Sequence, residues 1–280
     1  MKMNNSEVAK LATKALLYEV SISPKAGLVS RLSNGSHKDM DFYTFIDSAL
    51  SLDEYFSECF VYGQENDFYS PIFFKNLRDL GKKAEKEMYQ ATDGINTHKG
   101  TIFSMGIIIS VLASYLKEVD KIDLKILSEK IKTMCSPLLG ELENTNSFST
   151  YGEKAFKNYH LTGARGLAIS GYDIVLLDGI NKLKDFTKIL EFETSCILLL
   201  FYYISILDDT NIVNRANFET LKEIQILCKN LYKDNIKSLS KEKIRDEMSK
   251  LNDIFIEKNI SAGGSADLLI LTIFIYILNI

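Results

Sequence analysis

Five stretches of the chain mix glycine, charge and small polar side chains in the manner of loops that hold phosphates or move protons. They are Lys25–Arg31 (KAGLVSR), Asn34–Asp41 (NGSHKDMD), Asp93–Gly100 (DGINTHKG), Leu161–Gly166 (LTGARG), and a late pair, Asp208–Asn211 with Ser261–Asp267. In the third, a glycine-bearing turn through Asn96, Thr97 and Lys99 runs into an apolar stretch starting at Thr101. Free N–H groups and the dipole make such a junction an anion site, and an ordinary helix start capped by Thr97 fits the same spacing. Arg165, held between Gly163 and Gly166, offers a guanidinium fork for phosphate oxygens or simply a surface turn.

Two pairs of acids invite a cation. Asp39 and Asp41 cannot share a helix face at a spacing of two. In a loop both could reach one hard ion such as Mg²⁺, or both could complement the next helix's N-terminus. Asp208 and Asp209 follow the apolar run Cys196–Leu207, where a carboxylate opposes the helix dipole. Either a bound cation or a capping role on the following helix removes that conflict. His37 and His98 each precede a lysine in a polar loop and suit proton transfer or phosphate contact, or are plain solvated side chains. His160 has less context. Asp267 reads as an acid favouring the N-terminal turn of the last helix, with Gly263 and Gly264 leaving its backbone open to a ligand. No P-loop, HExxH, GxSxG, GxGxxG or CxxC pattern occurs.

The elements that must position these loops read as helices. The 280 residues are 46% hydrophobic and 25% charged, which excludes disorder and is ample for a core. A net charge of -4 argues against a nucleic-acid surface. Apolar spacing predicts helices over Ser6–Val20, Phe42–Phe60, from Pro71 to Ala84, Leu124–Met134, Phe186–Leu207, Phe218–Leu231 and Lys241–Ile256. Strand alternation and fixed-period repeats are missing. The expectation is an all-α fold: one globular multi-helix domain over residues 1–280, its active site built from inter-helix loops. The polar stretch Glu141–Tyr151 is the best candidate for a mobile connection. Cys59, Cys135, Cys196 and Cys228 are widely spaced in apolar settings, as reduced buried thiols are. The apolar runs are too short to span a bilayer, and no secretory leader is visible. A soluble cytoplasmic protein with no membrane or nucleic-acid partner is expected.

At these same loops the sequence resembles the triphosphoribosyl-dephospho-CoA synthases. The match runs through Tyr18-Glu19-Val20, Pro24, Gly27-Leu28-Val29, Arg31, Asn34–Asp41, Gly94–Gly100, Leu161–Gly166, Asp209-Thr210-Asn211 and Gly263–Leu269. It departs at Ala26 and Ala262, where the family tends to have proline, at Ser30, where it tends to be acidic, and at Ala216, where it tends to have glycine. The lost prolines should loosen loops; Ser30 bears on activity if the acid it replaces is chemical.

The resemblance implies that ATP and 3′-dephospho-CoA react to give the 2′-triphosphoribosyl derivative and adenine. The 2′-hydroxyl displaces adenine from ribose C1′ while the triphosphate stays intact, which accounts for the missing P-loop. An oxocarbenium-like transition state flanked by carboxylates is expected. For catalysis the resemblance points to Asp39, Asp41, His37 and His98, with a carboxylate or His37 as base and His98 protonating adenine. For ATP and its phosphates it points to Arg31, Lys38, Asn96, Thr97, Lys99, Arg165, Gly263, Gly264 and Ser265, and for Mg²⁺ to Asp39, Asp41 and Asp209. The product would pass to an acyl carrier protein transferase serving citrate lyase or malonate decarboxylase. An N-glycosidase that uses water in place of the 2′-hydroxyl, and a non-catalytic nucleotide-binding helical protein, are the rival readings.

Overall fold

In the computed structural model, which describes residues 3–143 and 151–279, the apolar spacings become helices. They are α1 (Asn5–Ser21), α2 (Phe42–Ser51), α3 (Asp53–Glu65), α4 (Phe73–Ala91), α5 (Lys99–Tyr115), α6 (Leu124–Cys135), α7 (Leu138–Glu143) and α8 (Tyr151–Tyr159). After α9 (Gly163–Ile169) a π-helical turn, Ile174–Gly179, leads into α10 (Ile180–Phe186). Then come α11 (Phe192–Ile206), α12 (Thr210–Arg215), α13 (Phe218–Ser238), α14 (Lys241–Glu257) and α15 (Gly263–Leu278). Among the described residues there is no strand, only an isolated bridge between Ser30 and Ser33. Residues 144–150, the centre of the expected mobile connection, lie outside the described residues.

Three helices set the architecture because they lack a polar face. α5, α11 and α15 are apolar nearly all round, and such helices are stable only when covered on every side. α15 lies between the other two, with α1 along it; α3 and α4 cover α5, and α13 and α14 cover α11. α15 alone buries Leu268, Leu269, Leu271, Ile273, Phe274 and Ile275. At about 1.5–3 kcal/mol per side chain, this exceeds the several kcal/mol that burying an ion costs. The fold can therefore hold charged groups at the α15 N-terminus. No helix among the described residues is long and apolar enough to cross a membrane, and all four cysteines are buried free thiols.

Two expected helices are divided. The run Phe42–Phe60 bends at Leu52 because the Ser51 hydroxyl takes the Ser48 carbonyl at 2.8 Å. That carbonyl would otherwise receive the Leu52 N–H, which turns to Ala49 instead. The run Phe186–Leu207 is interrupted at Glu191, whose extended backbone (φ -61°, ψ 156°) ends the turns after Phe186, and α11 starts afresh at Phe192.

Glycines let α3 cross α5 closely. Gly63 meets the Ser110 carbonyl, so an added Cβ would stand 2.1 Å from that oxygen, and Gly106 leaves room for the Tyr55 ring. In an exposed helix Gly→Ala gains about 1 kcal/mol. Gly63→Ala should instead give a net loss of about 1 kcal/mol or more through overpacking, read as a lower urea midpoint at unchanged slope.

Candidate active site

The α1–α2 link carries the first two loops and is pinned to α14. Glu19, on the otherwise apolar stripe of α1, is buried. Lys25 folds back on it, its Nζ donating to Glu19 Oε1 at 2.6 Å and to the Glu19 carbonyl at 2.9 Å, and both side chains are 1–2% exposed. Burial pushes the Glu19 carboxyl up and the Lys25 ammonium down, and the pairing opposes both shifts. Gly27 has φ +65° and sits against the Ile260 carbonyl, a position only glycine fills without strain. Its N–H donates to Asn252 Oδ1 at 2.9 Å, and Ser36 Oγ donates to the Phe255 carbonyl at 3.0 Å. Ser30 is a buried turn residue, its hydroxyl donating to the Ser33 carbonyl at 3.3 Å beside Ser23 Oγ. An open cavity of about 360 Å³ lies here, lined by Ser23, Lys25, Ser30, Ser33, Arg245 and Asn252.

His37 bridges two loops. Arg215 donates to its Nδ1 at 3.1 Å, so its Nε2 carries the hydrogen and donates to Ser261 Oγ at 3.0 Å. Burial and the Arg215 charge pull its pKa down to about 4. A neutral ring with both nitrogens engaged has no lone pair left for a substrate proton. Asp39 and Lys38 beside it are exposed. Asp41 is the exposed N-cap of α2, its Oδ1 accepting from the Thr44 N–H at 2.9 Å, which holds its carboxyl below the usual range.

The third loop enters α5 with His98, not Thr97, as N-cap residue. The Thr97 hydroxyl instead meets Ser48 Oγ at 2.6 Å, and Ser48 Oγ meets His98 Nδ1 at 2.7 Å. His98 Nε2 is buried with no hydrogen-bond partner. Burial, with the nearby Lys25 charge, pulls the His98 pKa down to about 3. Asn96 is exposed, and Lys99 pairs with Glu85 at 2.8 Å. Arg31 pairs with Glu193 at 3.3 Å. Arg165 lies half-buried in α9, whose first residue, Gly163, has φ +54° and lies beside Thr210 at the start of α12.

The late pair of motifs closes the site. Asp209 caps α12, its Oδ1 accepting from the Asn211 N–H at 2.9 Å, while Oδ2 accepts from the Ser265 N–H at 3.0 Å and Oγ at 3.3 Å. It thus caps α15 as well, from outside that helix. Burial pushes its carboxyl up, and the N–H groups of Asn211, Ser265 and Gly264 pull it back. Asp267 does the same for α5: its Oδ1 accepts from Thr101 Oγ1 at 2.5 Å, and its Oδ2 lies so close to Gly100 that a Cβ there would stand 2.1 Å away. Burial, Asp209 and Glu19 push the Asp267 carboxyl up to about 7. Asp267 is nevertheless partly exposed, as are Gly100, Gly263 and Gly264.

The expected site residues therefore divide. His98, Asp209, Gly263, Gly264 and Ser265 meet at the starts of α5, α12 and α15; Asp39, Asp41, Lys38 and Asn96 stay on the exposed outer loops. Glu19, Lys25, Thr101, Arg215 and Asp267 complete the polar interior. An acid on the apolar stripe of α1 was the available signal for Glu19; nothing in the spacing marked Lys25 as its partner. Mg²⁺ is poorly served by the acids expected to hold it. Both Asp209 oxygens are spent on N–H and O–H donors, and among the described residues no three His, Cys, Asp or Glu side chains converge on a metal position.

Two variants test this geometry. Asp209→Asn places an amide N–H against donors and should cost about 1–3 kcal/mol for each one left unsatisfied, seen as a lower Tm with the Mg²⁺ dependence of activity unmoved. Lys25→Met strands the Glu19 charge and should cost about 3–5 kcal/mol. The Glu19→Leu/Lys25→Met pair should recover most of that loss in denaturant unfolding.

Comparisons with known proteins agree on one kinship. Residues 5–280 match the family described as ATP:dephospho-CoA triphosphoribosyl transferase. Probable 2-(5''-triphosphoribosyl)-3'-dephosphocoenzyme-A synthases of Streptococcus pyogenes serotype M49 (strain NZ131) and serotype M5 (strain Manfredo) are each 37% identical over 287 residues. The match covers 96% of this chain and 95% of each relative. No solved structure is significantly similar. With the expected helical fold, the loop motifs in order and a match over nearly the whole chain, the protein belongs to the ATP:dephospho-CoA triphosphoribosyl transferase family, and it is a transferase.

Proposed function

We propose that residues 1–280 act as one synthase domain, which joins the triphosphoribosyl group of ATP to the 2′-hydroxyl of 3′-dephospho-CoA where α5, α12 and α15 begin. One observation carries this reading. Glu19 with Lys25, His98, and Asp209 come from three separate parts of the chain, yet all are buried, beside the partly exposed Asp267, where packing alone would place apolar side chains. Ionisable groups gathered at such a cost mark sites of chemistry.

The reaction exchanges one C1′ bond for another and leaves every phosphate bond intact, so it asks for charge neutralisation and water exclusion, not a phosphoryl clamp. Lys38, Lys99, Arg165 and Arg31 are the cations suited to the triphosphate. Lys99 and Arg31 would trade Glu85 and Glu193 for phosphate oxygens. With the Gly264 and Ser265 N–H groups engaged by Asp209, the α15 terminus offers phosphate less than its sequence suggests. Asn96 and Thr97 line the approach to α5. His98 stays neutral, so it would serve adenine through a hydrogen bond at Nε2 in preference to full proton transfer. Mg²⁺ would enter as the counter-ion of the triphosphate, with exposed Asp39 the acid freest to meet it. The setting is cytoplasmic, and the product would go to an acyl carrier protein transferase that builds the citrate lyase or malonate decarboxylase prosthetic group.

Purified protein given Mg²⁺, ATP and dephospho-CoA should release adenine in step with the triphosphoribosyl adduct, both followed by mass spectrometry. Adenine without adduct would identify a hydrolase; folded, ATP-binding protein that makes neither would be a silent binder.

A further inference from the structure

Resting on that reading, we infer that Asp267 is the general base that takes the proton from the attacking 2′-hydroxyl. The other groups in reach are committed elsewhere. Asp209 has both oxygens occupied by donors. Glu19 is bound to Lys25 at 2.6 Å and is 2% exposed. His37 gives one nitrogen to Arg215 and the other to Ser261. Asp41 caps α2, and Asp39 stands on the outer loop. His98 has one free nitrogen, but burial and the Lys25 charge pull its pKa down to about 3, too weak a base for this proton.

Asp267 differs in three ways. Its carboxylate is fixed by the Thr101 hydroxyl and backbone N–H at the start of α5. Oδ2 packs against Gly100, in the space that a Cβ there would occupy, so a glycine is what lets the carboxylate sit at the start of α5. And Asp267 is partly exposed, as are Gly100, Gly263 and Gly264 at the same helix starts, whereas Glu19, Lys25, His98 and Asp209 are buried. The titratable groups that act on it are Asp209 before α12, Glu19 of α1, which is bound to Lys25, and Tyr172 ahead of the π-helical turn, with His98 at the start of the same α5. Burial is the larger cause of its raised pKa, with Asp209 and Glu19 adding to it, and a carboxyl held near neutrality is matched to a base working at neutral pH.

In the step, the O2′–C1′ bond forms as the C1′–N9 bond breaks. The 2′-hydroxyl proton passes to Asp267, and adenine leaves with the electron pair of the broken bond and takes up one proton. Asp267 returns its proton to solvent, so none is consumed overall.

The test compares wild type with Asp267→Asn and Thr101→Val, following adenine and adduct with ATP binding measured separately. Asp267→Asn should lose about 100-fold or more in kcat while binding ATP within a few-fold of wild type. Wild-type kcat should fall tenfold per pH unit on the acid side of about 7. The Thr101 hydroxyl favours the ionised acid, so Thr101→Val should move that limb to higher pH; if Asp267→Asn fails to fold, this shift decides. Folded Asp267→Asn with kcat within threefold of wild type, or an unmoved limb in Thr101→Val, overturns the assignment while the synthase reading stands. Wild type that forms neither product overturns both.

Discussion

Carboxylates that cap helices other than their own organise this molecule. Asp209 receives N–H groups from the starts of both α12 and α15, and Asp267, on α15, receives the hydroxyl and N–H of Thr101 at the start of α5. Orphan N–H groups at a buried helix end must find acceptors. Here the acceptors come from neighbouring helices, so satisfying the backbone also fixes how three helices converge. The loops that carry the family's motifs hang from those three points.

The same arrangement sets the electrostatics. Three acids, Glu19, Asp209 and Asp267, occupy one interior with one lysine, and the two histidines of the site are kept neutral. Donors hold Asp209 and a cation holds Glu19, so the surplus of negative charge falls on Asp267. Burial above all, and then the charges of Asp209 and Glu19, push its carboxyl up to about 7. The apolar flanks of α5, α11 and α15 provide the burial energy that keeps this charge inside.

Much of this was legible in the chain. Helices with strong apolar spacing were found within a residue or two, α1 and α14 among them, and the glycine-and-charge loops marked the places where the site assembles. The breaks after Ser51 and Phe186 were not legible, because a single hydroxyl or one extended residue, Glu191, sets them against an unbroken apolar pattern. Nothing in the spacing pairs Glu19 with Lys25, since the five residues between them give no sign that they meet. Asp267 was read as an acid serving its own helix, and it serves the start of α5. Periodicity reports which face of a helix is buried; it does not report which two helix ends meet, and that is a property of the packed fold.

The central claim is that the 2′-oxygen of dephospho-CoA becomes the new substituent on C1′ of the ribose of ATP. Its most direct test is to supply dephospho-CoA labelled with ¹⁸O at the 2′-hydroxyl and to trace the label by mass spectrometry. The account predicts an adduct that keeps the ¹⁸O, formed one for one with adenine. Loss of the label from the adduct, or adenine release matched by unlinked ribose triphosphate carrying oxygen from water, would contradict it.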